Sequence, residues 1–153
     1  MYLVAIVLLM LVLPVASVAA EMVWHPGAAS LMALIGKWFT FWGVGVRLFM
    51  AGVMQTLRPR FTAESIFDIG DPASLAIVRE VGFGNLAIGT LGLASLAQPK
   101  WVVPAALAGG LYYGLAGAGH LMRKTRNAKE QVALVSDLAI FFVLAVFVVD
   151  SLI

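Results

Sequence analysis

Cysteine is absent from the 153 residues. That gap removes disulfides, thiolate metal sites, iron–sulfur clusters and thiol chemistry, and it leaves the redox compartment undetermined. Charge is scarce as well: Asp, Glu, Lys and Arg make up 12% of the chain, about half of what an ordinary soluble domain carries. The net charge is only +2, and no basic, aromatic-interleaved surface accompanies it, so nucleic acid is not an expected partner. A P-loop, a GxGxxG fingerprint, a nucleophile elbow and a His-Glu-x-x-His pair are all missing. "GFGNLAIG" lies inside an apolar run, where helix packing accounts for its glycines. Histidine occurs only as His25 and His120, which fall on opposite membrane faces and cannot together ligate one haem. Neither a catalytic residue nor a metal site is expected.

What is present is apolar surface. Hydrophobic residues reach 62%, against roughly 45–50% in soluble domains, and a soluble core of this length could not hide them without large exposed patches. The chain therefore reads as all-α: an integral membrane helical bundle forming one domain, 1–153. A crossing helix needs about 20 apolar residues for about 30 Å of hydrocarbon. Five segments approach or meet that length, at about 2–20, 31–57, 75–97, 101–121 and 132–153. "SVAAE" in the first resembles a small-residue cleavage site, but no Lys or Arg precedes the apolar run, so 1–20 is expected as a retained helix. Between the segments lie "EMVWHPG", "RPRFTAESIFDIGDP", "QPK" and "RKTRNAKEQ", rich in turn and interface signals.

Lys and Arg concentrate in alternate loops, at Arg58 and Arg60, then at Arg123, Lys124, Arg126 and Lys129, while only Lys37 and Lys100 fall on the other side. The positive-inside rule then predicts an inner membrane protein with its N-terminus cytoplasmic and its C-terminus outside. Trp24 and Trp101 become interfacial anchors. In the longest loop, Phe61, Ile66, Phe67 and Ile69 among polar residues predict a short helix on the inner surface, and Asp71 with Pro72 predicts the start of the third span.

Residues three or four apart share a helix face. Thr40, Gly43, Arg47, Ala51, Gln55 and Arg58 form a small-and-polar stripe, which turns Arg47 into the bundle. Gly82, Asn85, Gly89 and Gly92 form a similar face on the third span, and Ala106, Gly110, Gly114 and Ala118 on the fourth, a spacing that lets helix backbones approach closely. Gly110 and Gly114 predict tight packing within the chain, with a homo-oligomer seam as the alternative. At about 1.5 Å per residue, Arg47 lies roughly 15 Å from the cytoplasmic end, Glu80 and Asp137 roughly 8–9 Å, and His120 within about one turn. An unpaired charge at bilayer centre costs about 2.5–3.5 kcal/mol or more, so Arg47 needs a carboxylate. Glu80 is the expected partner and Asp137 the second. Asn85 and Tyr113 join them near mid-depth, and Tyr113 shares a face with His120.

"RLFMAG", "REVGFGNLAIGTLGL" and a last helix running from "NAKEQVALVSDLAIFF" to "VVD" resemble the DoxX-like group of small membrane proteins, whose core is a four-helix bundle. The resemblance covers about Phe41 to Asp150, with 31–153 as the core and the first helix as an addition. Arg47, Glu80 and Asp150 match the group's recurring arginine, glutamate and terminal aspartate. Gln55 and Thr56 stand where a lysine or histidine is often found, and "LAVFVV" replaces a glycine run. "RNAKE" is similar to the Arg-Asn-x-x-Glu signature of membrane glutathione-transferring enzymes, but it stands before the last helix instead of near the start.

The DoxX-like resemblance implies a non-catalytic accessory subunit, or a binder of a quinone- or lipid-like molecule. Membrane lipids, a membrane redox complex or a second copy are then the partners, and a quinone is the one cofactor it admits. The other reading is a proton-coupled carrier or membrane enzyme, with Glu80, Asp137 and His120 as titrating groups.

Overall fold

The computed structural model describes every residue except Met1 and Phe67. Among the described residues the ordered elements are all helical. Helix α1 is Tyr2–Trp24. Residues 31–57 form α2, made of Leu31–Phe39, a π-helical stretch Thr40–Val46 and Arg47–Leu57. Then come a short α3 (Pro59–Ser65), α4 (Ser74–Ala94), α5 (Val102–Met122) and α6 (Ala128–Asp150). The last helix begins four residues earlier than the apolar pattern suggests (128 against 132), because Asn127 caps it by accepting from the Glu130 N–H at 2.9 Å. The predicted surface helix starts at Pro59 and ends at Ser65, with Thr62 and Ala63 buried against the bundle. Phe67 lies outside the described residues.

Among the described residues, three helices are long and apolar enough to cross a membrane: Tyr2–Trp24, Pro99–Met122 with its leading 3-10 turn, and Ala128–Asp150. Helices α2 and α4 have the length, but Lys37, Arg47 and Gln55 in one and Arg79, Glu80 and Asn85 in the other dilute their apolar character. Large aliphatic and aromatic side chains point outward, among them Leu3, Leu11, Leu111, Leu115, Phe142 and Val146. Such an apolar exterior suits lipid and not water, and the chain is a small helical membrane protein.

Helix α1 buries Ile6, Met10, Pro14 and Val18, one narrow stripe at intervals of four. Its middle is a π turn, Leu8–Val12. Pro14 supplies the cause: it has no N–H for the Met10 carbonyl, and its ring displaces the turn before it. At the far end α1 is held by side chains of α2. Lys37 Nζ lies 2.8 Å from both Glu21 carboxylate oxygens, and Trp38 Nε1 donates to Glu21 Oε2 at 2.6 Å. Trp42 Nε1 donates to Ser17 Oγ at 3.0 Å.

Helices α2 and α4 pack backbone against backbone. A Cβ on Gly45 would fall 2.8 Å from the Gly92 carbonyl carbon, and one on Gly52 would fall 2.7 Å from the Gly82 oxygen. Gly89 is pressed against the Phe49 backbone. Gly110 and Gly114 face Leu144 and Phe141 of α6 within the same chain, at 3.4 and 2.7 Å for an added Cβ.

Gly52→Ala must push two backbones apart and is expected to lower stability by about 1–3 kcal/mol. Gly84→Ala, with nothing within 4 Å of the new Cβ, should be neutral or stabilising by up to about 1 kcal/mol. Thermal unfolding in detergent micelles reads both, and equal behaviour of the two variants would refute the close contact.

Candidate functional site

The π stretch in α2 prepares the site. Its two glycines, Gly43 and Gly45, are both buried. The Arg47 N–H reaches the carbonyls of Trp42 and Val44, so the Gly43 carbonyl that a regular helix would pair with Arg47 is left over. Tyr113, 2% exposed, donates its hydroxyl to that oxygen at 2.6 Å. One side chain from α5 thus satisfies the carbonyl that the π geometry released, immediately before Arg47.

Arg47 then enters a cavity of about 110 Å³ in the bundle. Every numbered helix contributes to its wall: Tyr2 from α1, Arg47 and Gln55 from α2, Thr62 from α3, Asn85 from α4, Tyr113 and His120 from α5, and Asp137 from α6. Asn85 Nδ2 donates to Gln55 Oε1 at 2.6 Å across the glycine-lined contact. The Tyr2 hydroxyl lies beside the Arg47 guanidinium, and Asp137 shares the cavity wall with Arg47 and His120. The ion pairs of the described residues are Lys37–Glu21, Arg60–Glu64, His120–Glu130 and Arg123–Glu130. None of them joins Arg47 to a carboxylate.

Five of the six expected polar residues, Arg47, Asn85, Tyr113, His120 and Asp137, therefore meet in one cavity. Glu80 does not. It is exposed, and the Arg47–Glu80 ion pair is corrected: Glu80 stands two residues before Gly82, about 200° round the helix at about 100° per residue, and so faces away from α2. Near the start of α4 and beside Arg79, its carboxylate can reach polar surroundings. Asp150 is likewise exposed, at the end of α6.

The residue that sequence reasoning missed is Glu130. It is 1% exposed, and its Oε1 lies 3.0 Å from His120 Nδ1 and 3.2 Å from Arg123 Nε. With a carboxylate oxygen as acceptor, Nδ1 is the ring nitrogen that carries the proton. Glu130 and Asp137 are seven residues apart on the buried face of α6, a spacing visible in the sequence. The turn that delivers His120 to Glu130 is built locally. Arg126 Nη1 donates to the carbonyls of His120, Leu121 and Arg123 at 3.0, 3.2 and 2.6 Å, capping the end of α5. Asn127 Nδ2 donates to the Ile66 carbonyl at 3.0 Å. The three residues of "RNAKE" that suggested a glutathione signature are thus occupied in capping and ion pairing.

A second hollow adjoins the first. A groove of about 180 Å³ runs between α1 and α2, lined by Leu9, Met50, Met54 and Phe61. It shares Tyr2, Arg47, Ala51, Gln55, Thr62 and Ile66 with the cavity. The joint space is polar within and apolar toward the bundle surface, where Met50 and Phe61 are exposed. No three His, Asp or Glu side chains converge on a point among the described residues.

Residues 2–151 match a family of unknown function, DUF6790, and the chain belongs to it. No curated protein and no solved structure matches.

Replacing Glu130 takes a buried carboxylate from between His120 and the half-exposed Arg123, so Glu130→Gln should cost about 1–3 kcal/mol. Glu80→Gln, at an exposed position, should stay within about 0.5 kcal/mol. Denaturant unfolding of the two variants in micelles checks the assignment, and the reverse order would restore Glu80 to the site.

Proposed function

We propose, for this member of a family of unknown function, that the chain binds a quinone- or lipid-like molecule without transforming it. The polar head occupies the cavity, and the tail lies in the groove between α1 and α2. The observation that carries this reading is the shared wall: six residues line both hollows, so a polar chamber continues into an apolar channel. Ligand sites of this kind are mostly apolar with a few convergent polar groups. The likeness to DoxX-like proteins agrees with it, since that group includes a quinone-linked small subunit, and an accessory role in a membrane redox complex follows from the same likeness. In this reading α2 and α4 complete five spans in an inner membrane. The loops around Arg58 and Arg123 are cytoplasmic, as is the N-terminus, and the C-terminus is outside.

A second reading, a proton-coupled carrier, is favoured by one observation: His120, paired with the buried Glu130, shares the cavity wall with Asp137. Glu130 then takes the place first given to Glu80 among the titrating groups. In this case Asp137→Asn abolishes pH-dependent transport in reconstituted vesicles, whereas the binding reading expects no such transport in the parent protein.

Purification with native lipids and mass spectrometry of the co-purifying small molecules tests the first reading. One amphiphile should be enriched with the parent chain. Ala51→Phe, which fills the shared wall, should reduce it about tenfold, equivalent to about 1.4 kcal/mol, while the melting temperature changes little. Equal amounts from both proteins would count against the cavity as the binding site.

A further inference from the structure

Helices α1 and α6 run side by side without closing on each other along their first halves. At its far end α1 is fastened to α2 through Glu21 and Ser17, whereas from Tyr2 to Val12 it buries only Ile6 and Met10. An open groove of about 400 Å³ remains between the two helices. Leu3, Val7 and Leu11 form one wall, and Val132, Val135 and Ala139 the other. Its two polar lining residues have local partners: Ser136 Oγ donates to the Ala133 carbonyl at 3.0 Å, and Gln131 Oε1 accepts from Arg126 Nε at 3.2 Å. Both helices are long and apolar enough to cross a membrane, so the groove opens on hydrocarbon. Its occupant along the walls is therefore apolar.

Width separates a helix from a single chain. The wall from Leu3 to Leu11 rises about 12 Å, which gives the groove a section of about 33 Å². A helix about 10–12 Å across has more than twice that section, so a second copy's helix does not fit and an acyl chain does. The mouth of the groove is basic. Gln131 stands at its loop end, and the bond to Arg126 Nε holds the guanidinium there. Arg126 Nη1 is taken up by the carbonyls at the end of α5, while Nη2 has no partner among the described residues. Residues 123–130 set Arg123, Lys124, Arg126 and Lys129 against one acid, Glu130, whose carboxylate is engaged by His120 and Arg123. A guanidinium matches phosphate oxygens in a planar fork, and basic clusters between membrane helices favour anionic headgroups. A zwitterionic head would bring its ammonium against the same cations.

We infer that the groove between α1 and α6 holds one acyl chain of an anionic phospholipid, whose phosphate rests on Arg126. The lipid fills the gap and joins the first half of α1 to α6, which side chains alone leave apart. The groove has no lining residue in common with the chamber at Arg47, so this site stands whether or not that chamber takes a ligand.

Delipidated full chain in non-ionic detergent micelles, titrated with dioleoylphosphatidylglycerol or dioleoylphosphatidylcholine, tests this by native mass spectrometry and melting temperature. One phosphatidylglycerol per chain should bind and raise the melting temperature, at a concentration about tenfold below that needed for phosphatidylcholine. Ala139→Phe, at an exposed position in the groove wall, should remove this binding and leave the lipid-free melting temperature near the parent's. Arg126→Gln should bring phosphatidylglycerol down to the level of phosphatidylcholine, and Ala51→Phe, in the chamber, should leave it unchanged. Equal binding of the two lipids overturns the inference, as does parent-like binding by Ala139→Phe. Loss of binding in Ala51→Phe would move the lipid to the chamber and overturn the groove as its site. A lipid-free dimer that Ala139→Phe dissociates would put a second copy in the groove, with the same consequence. The comparison of the two lipids on the parent chain stands whether or not a variant folds.

Discussion

The contact of α2 with α4 is the constraint on which the remaining geometry depends. In lipid, helices gain little by hiding apolar side chains from their surroundings, and close backbone approach takes over as the source of association. Gly45 against Gly92, Gly52 against Gly82 and Gly89 against Phe49 fix the two helices at three levels. With distance and register set, Asn85 meets Gln55, and the α2 side chains just past the π stretch open toward α5 and α6. A larger residue at any of these glycines would move the walls of the cavity.

Charge is distributed on the same plan. At one end Glu21 is enclosed by Lys37 and Trp38, and at the other Glu130 is enclosed by His120 and Arg123. Both clusters join different helices, so each ties the bundle while satisfying its own polar atoms. Between them, Arg47 and Asp137 face one chamber with no direct ion pair. The bundle pairs its charges at both ends, whereas those in the middle share a chamber without a direct ion pair.

Much of this was legible in the sequence. Periodicity gave the helices, the glycine face of α4, and the inward turn of Arg47 together with Asn85, Tyr113, His120 and Asp137. The error at Glu80 came from weighing depth above angle: the residue stands at a plausible level but on the side of α4 opposite Gly89. Glu130 escaped notice for a different reason. Its seven-residue spacing from Asp137 marks the buried face, but its pairing with His120 depends on the turn through Arg126 and Asn127, and a ten-residue separation across a turn leaves no periodic signal of that pair. The π turn before Pro14 has a visible cause, whereas the one over Thr40–Val46, in contact with three neighbouring helices, carries no local mark beyond its glycines.

That second π stretch makes α2 two helices sharing one axis but out of phase. Each extra residue in a π turn rotates the downstream half of the helix by about 100° relative to an uninterrupted α-helix. Ahead of it, Lys37 and Trp38 address α1; beyond it, Gly52 addresses α4 and Arg47 the chamber. Deleting one residue between 40 and 46 would leave the composition almost untouched and the hydrogen-bond ladder more regular. It would also bring the two halves into a common phase, in which α2 could satisfy its first set of partners or its second, but not both at once.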